Sequence, residues 1–283
     1  MAFYLTEFLD PVPVTFESDN ISSDQLLNFR AFNTWREALK TSLEGQKDTE
    51  HPFHKAPYKL KSVAIQSVDW FGKEPPEGKG KFIGFVKLTA EVKNEKGDSL
   101  PGIAFLRGGS VAILMILRPS DSKTERWVIM TEQPRIPAGS LRFMEIPAGM
   151  LDNSRTFSGA AAKEIEEETG LTVYESELVD LTKLALQGVT ATESLASGMY
   201  PSPGGLDEFI AIFLWEKVMD RQEIESLKGK LKGSRKQDEM ITVRILDYEE
   251  LWKVGARDAK TLAAWSLYEA LKRSRKLLES KTW

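Results

Sequence analysis

The sequence predicts an α+β fold in which a mixed sheet lies between helices. Two apolar runs of seven residues, 111–117 and 209–215, have the length and continuity of strands buried on both faces. Stretches with helical spacing interleave with stretches of β-type patterning irregularly, not in strict strand–helix alternation. The chain has 283 residues, 41% of them hydrophobic, enough to build an ample core in one large domain or two small ones.

Along the chain, residues 1–22 are mixed and interrupted by proline, and read as an ordered arm or a loose tail. Residues 23–43 fit a helix, because Leu26, Leu27, Phe29, Phe32, Trp35 and Leu39 recur near helical spacing. Residues 51–58 read as a loop. From Leu60 to Ala104 the pattern becomes β-type, broken by turns at Glu74-Pro-Pro-Glu-Gly-Lys-Gly80 and at 94–98. The runs at 111–117 and 127–131 read as strands joined by a polar turn, and 143–146 as a short strand leading into Pro147-Ala148-Gly149. A helix over about 158–169 follows, ended by Gly170, the residue favoured just past a helix C-terminus. Strands are expected around 181–186, 209–215 and 241–246. The tail from 258 to 278 reads as an amphipathic helix with Asp258 as its cap and a basic end that suits the helix dipole.

Composition narrows the chemistry. With 38 basic residues against 42 acidic and a net charge of −4, the chain lacks the basic footprint of a nucleic-acid binder. It has no cysteine, which removes disulfides, thiol nucleophiles, iron–sulfur clusters and zinc ribbons together. Its two histidines, His51 and His54, flank Pro52, which spoils a helical metal pair, so they read as structural. Chemistry must therefore run on carboxylates, hydroxyls, Lys and Arg, and hard oxygen ligands suit Mg²⁺ or Mn²⁺. No apolar run approaches the ~20 residues of a membrane span. The first thirty residues carry five acids and one base, unlike a transit or secretory leader. A cytoplasmic, reducing location is the simplest reading, although a processed mature chain would look the same.

The informative segment runs from Gly149 to Leu171. At about 100° per residue, Glu164 and Glu168 lie about 40° apart, with Glu167 about 60° to the other side of Glu164. Three carboxylates thus share one side of a helix, while Ala161, Ala162 and Ile165 can turn to the core. Acids at the negative end of the dipole are misplaced, and the like-charged i,i+4 pair costs ~0.2–0.5 kcal/mol. A divalent cation would reverse both penalties. A solvated acidic face is the plain alternative, since water and salt can absorb costs of that size.

The context of that helix, an apolar strand, then Pro-Ala-Gly, a loop and the acids, resembles the Nudix box. Gly149, Glu164, Ile165, Glu167, Glu168, Gly170 and Leu171 fall at seven of its nine defined positions. Arg155 stands where the family has Glu, and Lys163 where it has Arg, keeping the charge but losing the planar fork. The resemblance implies the Nudix fold and a helix whose carboxylates hold Mg²⁺ or Mn²⁺ on a substrate diphosphate. Carried across, Glu164, Glu168 and Glu167 are the metal ligands, with the Ala148 carbonyl as a further one.

Outside the box, Tyr200-Pro-Ser-Pro-Gly-Gly-Leu-Asp-Glu208 precedes an apolar strand. Taken alone it is a Pro/Gly turn, but Ser-Pro-Gly-Gly before an acid resembles the loop of Nudix enzymes that split ADP-ribose and ADP-sugars. Phe105-Leu-Arg107-Gly-Gly, Glu132-Gln-Pro-Arg135 and Glu145-Ile-Pro-Ala-Gly149 agree with that branch, most closely its plant and fungal ADP-sugar diphosphatase group. The resemblance implies hydrolysis to AMP and a sugar phosphate. Arg107 and Arg135 would meet phosphate or the terminal sugar, with surface ion pairs as their plainer role. Gly204 and Gly205 would let the backbone approach the ligand. Trp70 and Phe71 would stack on adenine or simply pack. The general base would lie in the loop Gly233-Ser-Arg-Lys-Gln-Asp238-Glu239: Glu239 first, Asp238 in reserve, with Glu208 orienting water or substrate. The branch also implies a homodimer whose β-rich N-terminal regions exchange. The expected divisions are an extension at 1–59, that β region at 60–104 and the Nudix domain at 105–283. A UDP-sugar diphosphatase and a catalytically silent nucleotide-binding module remain open, the latter favoured by Arg155 and Lys163.

Overall fold

The computed structural model describes residues 2–17, 20–72, 80–151, 156–189, 193, 195–229, 231–232 and 240–277. Two compact units divide the chain: 1–109 with 190–196 and 202–208, and 110–189 with 197–201 and 209–283.

The first unit is a mixed sheet with helices on one face. Strands β1 (Ala2–Leu5) and β2 (Val12–Phe16) form a hairpin at its edge. Helices α1 (Ser23–Asn28) and α2 (Arg30–Gly45) follow, then β3 (Lys59–Phe71), β4 (Phe82–Lys93), β5 (Ser99–Leu100) and β6 (Ile103–Leu106). The order is β1-β2-β3-β4-β5, with β6 also on β4; β2 runs parallel to β3 and the other pairs are antiparallel. The core joins Val63, Ile65, Val86 and Leu88 of the central strands to Leu26 and Phe32 of the helices.

Two expectations change here. The opening residues are neither arm nor tail but two strands of the sheet. Pro13 stands opposite Tyr4 in the hairpin, and pairing with β3 is in register only from Val14 onward, so its missing N–H breaks no bond of the β3 ladder. The helix expected over 23–43 is two helices, broken at Phe29, whose backbone is extended at φ −77°, ψ 113°. The Asn33 side chain donates to the Leu27 carbonyl at 2.6 Å and supplies a partner at the break.

The second unit is a three-layer sandwich. Its elements are β7 (Ser110–Pro119), β8 (Trp127–Arg135), β9 (Ser140–Glu145), β10 (Ala148–Met150) and α3 (Phe157–Thr169). They continue with β11 (Val179–Asp180), α4 (Leu181–Leu186), β12 (Ile210–Met219), α5 (Arg221–Ser226), β13 (Leu231–Lys232), β14 (Ile241–Asp247), α6 (Leu251–Val254) and α7 (Ala259–Arg273). The sheet order is β11-β12-β7-β8-β14-β13, with β10 on β7 and β9 on β8; β12 and β7 are parallel. Alternate residues of β7 feed two cores. Val111, Ile113 and Met115 pack with α3, while Ala112, Leu114 and Ile116 pack with α4 and α7. All ten residues of β7 are buried, which is why its sequence reads as an unbroken apolar run. The expected mixed sheet between helices is therefore present.

Residues 181–186, expected as a strand, form helix α4 instead. The Asp180 carboxylate caps it, accepting from the Lys183 N–H at 2.8 Å, and Leu181 enters the α7-side core. Helix α3 is capped by Thr156, whose hydroxyl accepts from the Gly159 N–H at 3.0 Å, and is closed by Gly170 with φ 72°. Gly170→Ala places a β-carbon in that left-handed conformation and is expected to cost ~1 kcal/mol of unfolding free energy, read by denaturant titration. Among the described residues no helix is long and apolar enough to cross a membrane.

Candidate active site

Helix α3 is oriented by its buried face. Ala160, Ala161 and Ile165 sit in the core of the second unit, so the stripe carrying Glu164 and Glu168 meets the short strand β10. Glu168 is 5% exposed. One of its oxygens accepts the Ala148 backbone N–H at 3.2 Å, and the other accepts from the Gln133 amide at 3.5 Å. Glu164 lies directly over the Cα of Gly149, where a methyl built on that glycine would overlap its carboxylate. Glu167 stands apart from this pair: it is half-exposed and faces Lys163, 3.9 Å away and one turn back. The three acids of one helix side thus divide into two held against β10 and one turned outward.

Near the pair lies a third carboxylate that sequence reasoning overlooked. Glu145, at the end of β9, is 2% exposed. It accepts from the Arg135 Nε at 2.7 Å and, on its other oxygen, from the Lys260 ammonium of α7. Burial, followed by the charges of Glu164 and Glu145, pushes the Glu168 carboxyl well above the usual carboxylate range; Arg135 and the Ala148 N–H oppose this. Burial and the neighbouring carboxylates thus disfavour the charged form of Glu168.

That donor set fits a hard divalent cation. The groups are carboxylate oxygens in a buried, electronegative setting, and Gly149 leaves Glu164 the room to occupy it. They form a facing pair, not a finished cage: among the described residues no three acidic or imidazole side chains converge as a metal cluster.

Within the first unit, the loop after residue 201 is tied to the end of β6. The Asp207 carboxylate accepts from the Arg107 N–H at 2.7 Å and the Gly108 N–H at 3.1 Å, while Phe105 N–H donates to the Gly205 carbonyl at 2.8 Å. Arg107 reaches the buried Glu208 at 3.4 Å and lies 6.0 Å from the Phe85 ring centroid. Its Nε is buried with no hydrogen-bond partner among the described residues. Gly204 and Gly205 have open space where a β-carbon would stand. Trp70 packs against the core of the sheet, whereas Phe71 is exposed and stacks edge-on with Phe82 and Phe85. Glu239, Asp238 and Arg155 lie outside the described residues.

Glu145 was visible in sequence only as part of Glu-Ile-Pro-Ala-Gly. Asp207 was overlooked beside Glu208, although an aspartate in a Gly-rich loop is the residue type that captures loop N–H groups. Lys260 left no local signal, because its partner is 115 residues away.

A family model described as the NUDIX domain matches residues 107–265. A protein of Arabidopsis thaliana named "Nudix hydrolase 14, chloroplastic" is 40% identical over 216 residues, 76% of this chain. The match covers 64% of that relative, so this chain spans less than two thirds of its length. The "ADP-ribose pyrophosphatase" of Bacillus subtilis (strain 168) is 31% identical over 189 residues, covering 65% of this chain and 84% of that protein. A solved structure described as an ADP compounds hydrolase aligns with 77% of this chain and 99% of its own, at 14% identity and a TM-score of 0.45.

Proposed function

The chain belongs to the Nudix family, and from that premise we propose that it hydrolyses the diphosphate bond of ADP-ribose and ADP-sugars, releasing AMP and a sugar phosphate. The observation that carries the reading is the pair Glu164 and Glu168 set against Ala148-Gly149, at the spacing of the family's box. The named function of the Bacillus relative supports the adenine nucleotide.

In this reading Glu164 and Glu168 hold Mg²⁺ or Mn²⁺, with the Ala148 carbonyl as a further ligand and Glu167 at the rim. The bound ion would neutralise diphosphate oxygens and lower the pKa of the attacking water. Arg135 and Arg107 offer guanidinium edges to phosphate or the terminal sugar. Glu239 accepts the proton of the attacking water, Asp238 stands in reserve, and Glu208 orients water or substrate. Gly204 and Gly205 admit the ligand to the backbone. Trp70 or its neighbour Phe71 stacks on the adenine; the greater exposure of Phe71 favours it.

Three further expectations belong to the proposal. Residues 60–104 form the contact of a homodimer, residues 1–59 an extension, and 105–283 the catalytic domain. Light scattering on the full chain reads the dimer, and a monomer at working concentration removes it. Residence in the cytoplasm is the expected location; the chloroplastic relative sets a plastid against it, and imaging a tagged full chain decides.

The test of function is a panel of ADP-ribose, ADP-glucose, ADP-mannose, UDP-glucose and NADH with Mg²⁺, scored by AMP or UMP release. The expected result is AMP from ADP-ribose and the ADP-sugars. UMP as the main product makes the chain a UDP-sugar diphosphatase. Tight binding of one compound with no turnover makes it a silent module.

A further inference from the structure

Four charged side chains of alternating sign run from the start of α7 to the acidic locus. Asp258 caps α7 and accepts from Lys260 Nζ at 3.0 Å. Lys260 donates to one oxygen of Glu145, and Arg135 Nε donates to the other at 2.7 Å. Side-chain exposure is 8% at Asp258, 13% at Lys260 and 2% at Glu145, then rises to 42% at Arg135. The chain of charges is thus buried except at its arginine end.

The same helix start is pinned by a neutral contact. The Thr261 hydroxyl donates to Asp258 at 2.6 Å and accepts the Ile146 N–H at 3.1 Å. Docking of α7 is thereby served without Lys260. A buried ion pair is poor evidence of stabilisation, because apolar residues of similar volume often do as well. What Lys260 and Glu145 supply is orientation. A guanidinium is planar, so gripping its Nε edge fixes the direction of its two terminal nitrogens. Those nitrogens make no hydrogen bond with any described residue. They therefore remain available to an anionic group.

We propose that Lys260 and Glu145 are positioning residues that hold Arg135 pre-aimed at an anionic group of the substrate, so that helix α7 sets substrate affinity. This inference rests on the function proposed above. An arginine already locked in its bound orientation loses less entropy when it meets phosphate.

The experiment is a double-mutant cycle on the full chain with Mg²⁺ and ADP-ribose. Lys260→Met is expected to raise KM about tenfold while kcat changes less than about twofold, and Lys260→Arg to recover most of the loss. In an Arg135→Gln background, Lys260→Met should add less than about twofold, because the group it positions is gone. Equal losses in both backgrounds, or a fall in kcat at unchanged KM, overturn the inference. A second readout needs no turnover. The Arg135 Nε–Hε NMR resonance, assigned by its loss in Arg135→Lys, should exchange slowly with solvent in the wild-type protein; fast exchange overturns the inference. If no compound of the panel is hydrolysed, the proposed function fails, and this resonance still decides whether the arginine is held.

Discussion

Glu168→Gln is expected to lower kcat/KM about a thousandfold or more while leaving the fold intact, the largest effect of any single change at this site. The replacement keeps the volume of the side chain. Its amide oxygen can still accept the Ala148 N–H that anchors the carboxylate now. What is lost is the negative charge that a divalent cation would meet. The same substitution has a stability signature of the opposite sign. Burial and two neighbouring acids push the Glu168 carboxyl above its ordinary value of 4.5. The native state then holds a proton that the unfolded chain releases first, so stability falls as pH rises from about 4.5 through the raised native value. At neutral pH without metal, Glu168→Gln should therefore unfold at a temperature equal to or above that of the wild type, and added Mg²⁺ should raise the wild type alone. A variant that keeps wild-type turnover removes Glu168 from the metal site. Thermal unfolding with and without Mg²⁺ reads the second half.

Gly149→Ala is expected to separate activity from stability even more plainly. The new methyl would overlap the Glu164 carboxylate, the far end of a flexible side chain and not backbone, so that side chain can swing aside. Gly149 does not have positive φ, and the substitution adds no strain of that kind. Unfolding free energy should change by less than about 1 kcal/mol. Displacing a carboxylate proposed to hold the cation by an ångström or more should nonetheless cost turnover about a hundredfold. Steady-state kinetics paired with denaturant titration checks both halves. A stability loss as large as that of a core substitution would show that the carboxylate cannot move and that this account of Gly149 is wrong.

Much of the fold and part of the candidate site were legible in the residues alone. The runs at 111–117 and 209–215 were read as buried strands because burial on both faces leaves no polar alternation to disguise them. Helix α3 was bounded in advance, since its stop, Gly170, is a local signal. Glu164 and Glu168 were picked out by helical periodicity and the spacing of the box. Arg107 and Glu208 were singled out separately, and their ion pair emerged only in three dimensions.

Tertiary structure decided the rest. It turned 181–186 into a helix, because the apolar pattern of so short a run suits a strand equally and only the cap at Asp180 and the core under Leu181 choose between them. It drew residues 2–5 and 12–16 into a sheet although proline argued against it. It sent Glu167 outward while holding Glu164 and Glu168 inward, a division that helical angles of about 40° and 60° cannot make without a neighbouring strand. It also brought Lys260 to Glu145 across 115 residues. Local patterning records what a residue needs within a turn of helix or along a strand. Which distant group supplies its partner is set by how the layers stack, and the chain carries no short-range trace of that.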